Sequence, residues 1–142
     1  MRAVVPRDDV LEVVETPVPA PGPGEVLVRV RAAGMNRADL LHARGRYGQR
    51  AFADLAGPDI AGMELAGEVV ALGEGVDEEL LGTRVMAMTA RAYADHAVVD
   101  ARLLMSVPDD VGWVEAAALP MALLTEYEAL VRLGGMAAGE RV

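Results

Sequence analysis

Any chemistry in this chain has to be done without cysteine and almost without histidine. The absence of Cys removes disulfides, thiolate zinc sites and cysteine nucleophiles together. His42 and His96 are the two imidazoles, and no ligand spacing relates them, so a tetrahedral metal site with three protein ligands is not assembled from them. Each reads as a surface or barrel-rim residue. The 13 basic residues are all arginine, against 22 acidic ones, for a formal charge of -9 and a pI of about 4.6. Phosphate recognition needs a basic surface, so neither a nucleic acid nor an acidic membrane is expected as a partner. The all-arginine usage fits a GC-rich bacterial coding bias and carries no mechanism.

What is left for chemistry is neutral hydrogen-bonding side chains, and these depend on the elements that place them. The 142 residues suffice for one domain with a real core. A hydrophobic content of 53% and a mean hydropathy of +0.25 argue against disorder. No signal-peptide pattern opens the chain and no apolar run has membrane-spanning length, so a soluble cytoplasmic protein is the default expectation. The central stretch is Gly57 to Val70. Gly57, Gly62 and Gly67 punctuate a strand-forming run at a spacing of five, each marking a sharp turn or a close approach.

Around it the pattern is that of short strands. Arg2 to Val5 and Val10 to Glu15 are β-branched runs separated by a Pro6 to Asp9 turn, and Thr16 to Gly24, with four prolines, reads as an extended connection. Glu25 to Ala33 alternates, with Val26, Val28 and Val30 on one face and Leu27, Arg29 and Arg31 on the other. Asn36 to Arg44 reads as a short helix with Asn36 as N-cap, Asp39 at N3 and Gly45 past its end. Arg46 to Asp59 lacks any period and is expected to be a surface loop at a cleft edge. Further strands are expected at Arg84 to Met88, Ala92 to Val99 and Leu103 to Val107. Seven or so short strands at close spacing imply a mainly β fold with a few helices, a closed or nearly closed barrel. The last third changes period. Gly112 and Glu115 start a short helix, Pro120 starts or kinks another, and Leu123, Leu124, Tyr127, Leu130 and Val131 form one apolar stripe ending at Gly134-Gly135.

Several motifs in order carry a family likeness. Pro58, Gly62, Glu64, Gly67 and Val69 form a Pro-x-x-x-Gly-x-Glu-x-x-Gly-x-Val run. Ala32-Ala33-Gly34-Met35-Asn36-Arg37-Ala38-Asp39, then Arg44-Gly45-Arg46-Tyr47, and later Ala117-Ala118-Leu119-Pro120 with Thr125 and Tyr127, complete the set. The chain thus resembles the medium-chain dehydrogenase/reductase family in its zinc-independent, quinone-oxidoreductase-like branch, and specifically the N-terminal GroES-like catalytic domain. Zinc-dependent members carry Cys and His where this chain has Asn36 and Met63. The departures are Gly82-Thr83-Arg84-Val85 for the usual Gly-Asp-x-Val, Arg91 to His96 for a Gly-Gly-x-Ala-Glu-Tyr run, and Glu126 inside Thr125-Glu126-Tyr127.

The resemblance implies a GroES-like β-barrel over residues 1–120. Residues 121–142 would then be a connecting helix and the start of a nucleotide-binding Rossmann domain absent from the chain, which has no Gly-x-Gly-x-x-Gly motif between strand and helix. It also implies that Asn36, Tyr47 and Thr125 line a cleft beside the nicotinamide of NADPH and a small-molecule substrate, with no zinc. Amide, phenol and hydroxyl can hold a carbonyl or carboxamide without a fixed charge near a transferred hydride, and Tyr47 can donate a proton. The plainer readings stay open: Asn36 as helix cap, Tyr47 as loop anchor, Thr125 bonded to its own helix. The implied function is the catalytic-domain portion of an NADPH-dependent quinone, enone or enoyl-thioester reductase, inactive alone and binding NADPH weakly. The same residues would serve an enoyl-reductase piece of a polyketide synthase. A stand-alone GroES-like binding or scaffold module is the alternative, and in either case the Leu123 to Val131 stripe is expected to promote self-association. Substrate identity and the choice between NADPH and NADH have no determinant in these residues.

Overall fold

The structure, a computed structural model, describes residues 1–7, 9–47 and 57–142. Strand β1 (Arg2–Arg7) and strand β2 (Val10–Glu15) form an antiparallel hairpin in the register Arg2 opposite Glu15. Strands β3 (Glu25–Ala33), β4 (Glu64–Leu72), β5 (Arg84–Met88), β6 (His96–Asp100) and β7 (Met105–Ser106) form a second sheet in the order β6-β3-β4-β5-β7, antiparallel throughout. The two sheets are stitched by irregular chain: Val4 donates to the Tyr93 carbonyl at 2.8 Å, and Ala61 donates to the Val4 carbonyl at 2.8 Å. This is the GroES-like, strand-rich architecture expected from the sequence, with helix α1 (Arg37–Ala43), α2 (Trp113–Ala117) and α3 (Pro120–Glu126) outside the strands.

The main core is filled by Val26, Val28, Leu65, Val69, Val85 and Val99, at most 2% exposed, each of which contributes about 1.5–3 kcal/mol by leaving water. Leu27, expected on the outer face, is buried as well, and the register against β4 shifts between Leu27 and Val28. One extra residue at such a shift re-aims the side chains on either side and breaks strict alternation. Gly67 explains itself here, because a Cβ would come within 2.3 Å of the Arg29 carbonyl on β3. A second, smaller cluster of Ala66, Met86, Val107, Ala116 and Ala117 seats α2 on the sheet. Arg84 reinforces that seat: it donates to the Val111 carbonyl at 2.6 Å and its guanidinium lies 4.5 Å from the Trp113 ring centroid.

Three elements differ from expectation. The strand expected from Ala92 begins at His96, because Arg91 has φ +65° and Ala92 and Tyr93 donate instead to Gly62 and Ala61. The strand expected over Leu103 to Val107 is only Met105–Ser106, since Ala101–Leu103 forms one tight helical turn capped by the Asp100 carboxylate. The expected continuous amphipathic helix changes form after Glu126. Residues Tyr127–Leu133 are π-helical, so the stripe spaced for 3.6 residues per turn no longer stays on one face. Most of the expected cleft-edge loop, residues 48–56, lies outside the described residues. Among the described residues no helix is long and apolar enough to cross a membrane.

Candidate active-site cleft

The site is built where β3 ends. Gly34 donates to the Glu64 backbone carbonyl, and any Cβ on it would stand 2.3 Å from Glu64 Oε1 and 2.7 Å from the Ala117 carbonyl. Only glycine lets the Glu64 side chain pass. Two residues on, Asn36 sits at the N-cap of α1 with extended backbone (φ -119°, ψ 151°). Its own N–H donates to Asp39 Oδ2 at 2.8 Å, while Asp39 N–H donates to the Asn36 carbonyl at 3.0 Å. The helix start is therefore fixed by the Asp39 half of the expected capping box, while the second bond is backbone to backbone.

The Asn36 side chain has a different partner. Nδ2 donates to Glu64 Oε1 at 2.7 Å, and Glu64 Oε2 accepts the Met121 backbone N–H, in the first turn of α3, at 2.9 Å. Glu64 is 3% exposed, and an ionised carboxylate so far from water needs such donors on both oxygens. The first turn of α1 carries the second buried carboxylate, Asp39, also 3% exposed. The Tyr93 hydroxyl is 2.7 Å from Asp39 Oδ2 and 3.0 Å from the Gly34 carbonyl, two acceptors competing for one proton. Burial, and then the Asp39 carboxylate that accepts its proton, push the Tyr93 phenol well above its ordinary value.

Above this network opens a cleft of about 310 Å³ lined by Gly34, Met35, Asn36, Glu64, Ala118, Met121, Ala122, Thr125 and Glu126. Asn36 and Thr125, 89 residues apart, stand on its two walls. Tyr47 is 41% exposed beyond the end of α1 and is not among the lining residues. Glu126, the departure inside the third motif, stands in the cleft lining and is exposed, so it is not a charge buried in an apolar helix contact. Sequence reasoning named Asn36 and Thr125 but missed Glu64, which bonds Asn36 to the first turn of α3. The signal was available as a carboxylate inside the otherwise uncharged run Ala61 to Gly67. His42 lies 3.0 Å from Asp59, and among the described residues no three His, Cys, Asp or Glu side chains cluster as a metal site would require.

Residues 22–109 match the family model of the alcohol dehydrogenase GroES-like domain. The chain belongs to that family. It is 44% identical over 129 residues to erythronolide synthase EryA2 of Saccharopolyspora erythraea, covering 91% of this chain and 3% of that protein. The solved JamJ enoyl reductase superposes with a TM-score of 0.84 at 27% identity, over 99% of this chain and 45% of that one. A quinone oxidoreductase from Thermus thermophilus, solved also in complex with NADPH, superposes with a TM-score of 0.75 at 35% identity, over 94% of this chain and 41% of that one. Kinship therefore lies with the quinone-oxidoreductase-like medium-chain dehydrogenase/reductases, and the chain spans less than half the length of these relatives.

Proposed function

We propose that this chain is the substrate-side portion of a zinc-independent, NADPH-dependent reductase acting on a quinone, enone or enoyl thioester. The observation that carries the reading is the pairing of the Asn36 amide and the Thr125 hydroxyl on opposite walls of one cleft whose remaining lining is largely apolar. When bound, NADPH supplies a hydride to an electron-poor carbon and leaves as NADP⁺, the second hydrogen arriving as a proton. The residues present suit the edge of a nicotinamide ring: a neutral amide and a hydroxyl for directed hydrogen bonds, and Met121, Ala118 and Ala122 for its face. Both Glu64 oxygens are already taken by N–H donors, which leaves the carboxylate directed at the protein and not at a ligand in the cleft. Tyr47, which stands outside the described lining, would serve as proton donor in this reading.

The pyrophosphate of the cofactor has no such place here. The described strands are all antiparallel, whereas dinucleotides bind at the carboxyl ends of a parallel sheet. We place the boundary of the barrel at residue 120, with residues 121–142 as a connecting helix and the start of a nucleotide-binding domain, and the isolated 142-residue chain is expected to turn nothing over. The test is to follow NADPH oxidation by the gene product with a quinone and with an enoyl thioester, alongside Asn36→Ala. Turnover that falls on the order of 10- to 100-fold in the variant supports the reading. Turnover by the isolated chain, or no effect of Asn36→Ala, overturns it. The exposure of Leu123, Leu124 and Tyr127 favours a second reading as a binding module, which predicts no NADPH oxidation by any form and a stable partner complex.

A further inference from the structure

Among the described residues, Glu64 has the one side chain that bonds to both walls of the cleft. From the floor on β4, Oε1 takes a hydrogen from the side chain of Asn36 and Oε2 takes one from the backbone of Met121. A carboxylate can only accept, so the Asn36 amide must turn its NH₂ toward Glu64, and the amide has no freedom to flip. Met121 follows Pro120, whose missing N–H leaves the Met121 N–H as the first donor of α3. The same carboxylate thus fixes how near α3, and with it Thr125 one turn later, stands to α1.

We propose that Glu64 is a positioning residue: by accepting one N–H from each wall it sets the orientation of the Asn36 amide and the separation of Asn36 from Thr125. The consequence for catalysis rests on the function proposed above, while the orientation itself does not. The chemistry of the pair gives a clean handle. Glu64→Gln leaves one acceptor and one NH₂ in place of two acceptors. If the remaining oxygen serves Met121, the new NH₂ faces the NH₂ of Asn36, and that amide must turn over to offer Oδ1. Exchanging the two functional groups, Glu64→Gln with Asn36→Asp, restores every hydrogen bond. The introduced amide accepts from Met121 through its oxygen and donates through its NH₂ to the introduced carboxylate. The exchange rebuilds the bracket while removing the amide NH₂ of Asn36 from the cleft.

The experiment reads both levels. Asn36 is the single asparagine of the chain, so selective ¹⁵N-asparagine labelling isolates its side-chain NH₂ pair. In the wild-type chain this pair is expected to be slowly exchanging and strongly inequivalent. In Glu64→Gln it is expected to shift and exchange at least tenfold faster, with the Met121 amide unchanged, and Glu64→Ala is expected to shift both. Unchanged Asn36 resonances in Glu64→Gln overturn the proposal whatever the enzyme does. In the reductase assay, Glu64→Gln is expected to lower kcat/KM on the order of 10- to 100-fold. The exchanged double variant is expected to recover the wild-type melting temperature without recovering kcat. A double variant that regains full activity would show that Glu64 matters only as a brace, and would overturn the assignment of amide orientation. If the gene product that carries a cofactor domain oxidises no NADPH, the proposed function fails and the resonances of the 142-residue chain alone decide the role of Glu64.

Discussion

The two walls of the cleft are held in opposite ways. The α1 wall is fixed from below by buried polar groups: Gly34 against Glu64, the Asn36 backbone against Asp39, and Asp39 against Tyr93. The α3 wall packs on β4 and β5, is tied to the barrel floor through Glu64, and turns Leu123, Leu124 and Tyr127 outward at 43–57% exposure before passing into π-helical turns. Although Asp39 Oδ1 itself is buried without a partner among the described residues, these buried hydrogen bonds specify a single arrangement. An apolar face without a partner among the described residues does not. Asn36 is thus preorganised by this chain alone, whereas the position of Thr125 depends on one carboxylate and on whatever covers α3.

The sharpest way to break that comparison is to add one methyl group to each wall. Gly34→Ala would force a Cβ to within 2.7 Å of the rigid Ala117 carbonyl and closer still to Glu64. We expect a loss of about 3 kcal/mol in urea unfolding, at the upper end for overpacking. Gly135→Ala, at φ +66° past the end of the second wall and with nothing within 4 Å of the added Cβ, should lose about 1 kcal/mol from backbone strain alone. Equal losses at the two positions would mean that the walls are equally braced.

Tyr93→Phe sharpens the account of the α1 wall. It removes one of the two donors to Asp39 Oδ2, and a lost bond to a buried carboxylate is expected to lower stability by about 1–2 kcal/mol at neutral pH. The same residue gives a pH signature. Because folding raises the phenol's pKa, the neutral form is favoured in the folded state, and its contribution is complete below the ordinary phenol value of about 10 and declines as pH rises above it. Ultraviolet titration should therefore show a tyrosinate component that ionises late, together with loss of structure, and that is missing in Tyr93→Phe. A variant with the same alkaline stability profile as wild type would remove Tyr93 from the network.

How much of this was legible in the sequence follows from the range of each interaction. The α1 cap was readable because Asn36, Asp39 and Gly45 obey rules that act within one helix. The strand core was readable from Val26, Val28, Val69 and Val85 because burial imposes a period. The bonds that make the site join residues 28, 54 and 57 positions apart, and no local rule relates Glu64 to Asn36 or Met121, or Asp39 to Tyr93. The family likeness brought Asn36 and Thr125 to one cleft without the carboxylate between them. The π-helical turns were illegible for another reason. The residues Tyr127 to Leu133 suit i→i+4 bonds as well as i→i+5 bonds, so composition does not choose.

The smallest effect on stability is expected on the other wall, and it is informative for that reason. Leu123 and Tyr127 are 46% and 57% exposed, so Leu123→Gln with Tyr127→Gln should change the unfolding free energy by no more than about 0.5 kcal/mol. Water already covers much of both side chains, and little apolar burial is there to lose. If the face nevertheless attracts a second copy, sedimentation velocity on the wild-type chain will show a concentration-dependent shift toward larger species, and the double variant will abolish it. A large loss of stability instead would mean that these side chains already pack within the chain. The second wall would then be braced like the first, and the contrast between them would not hold.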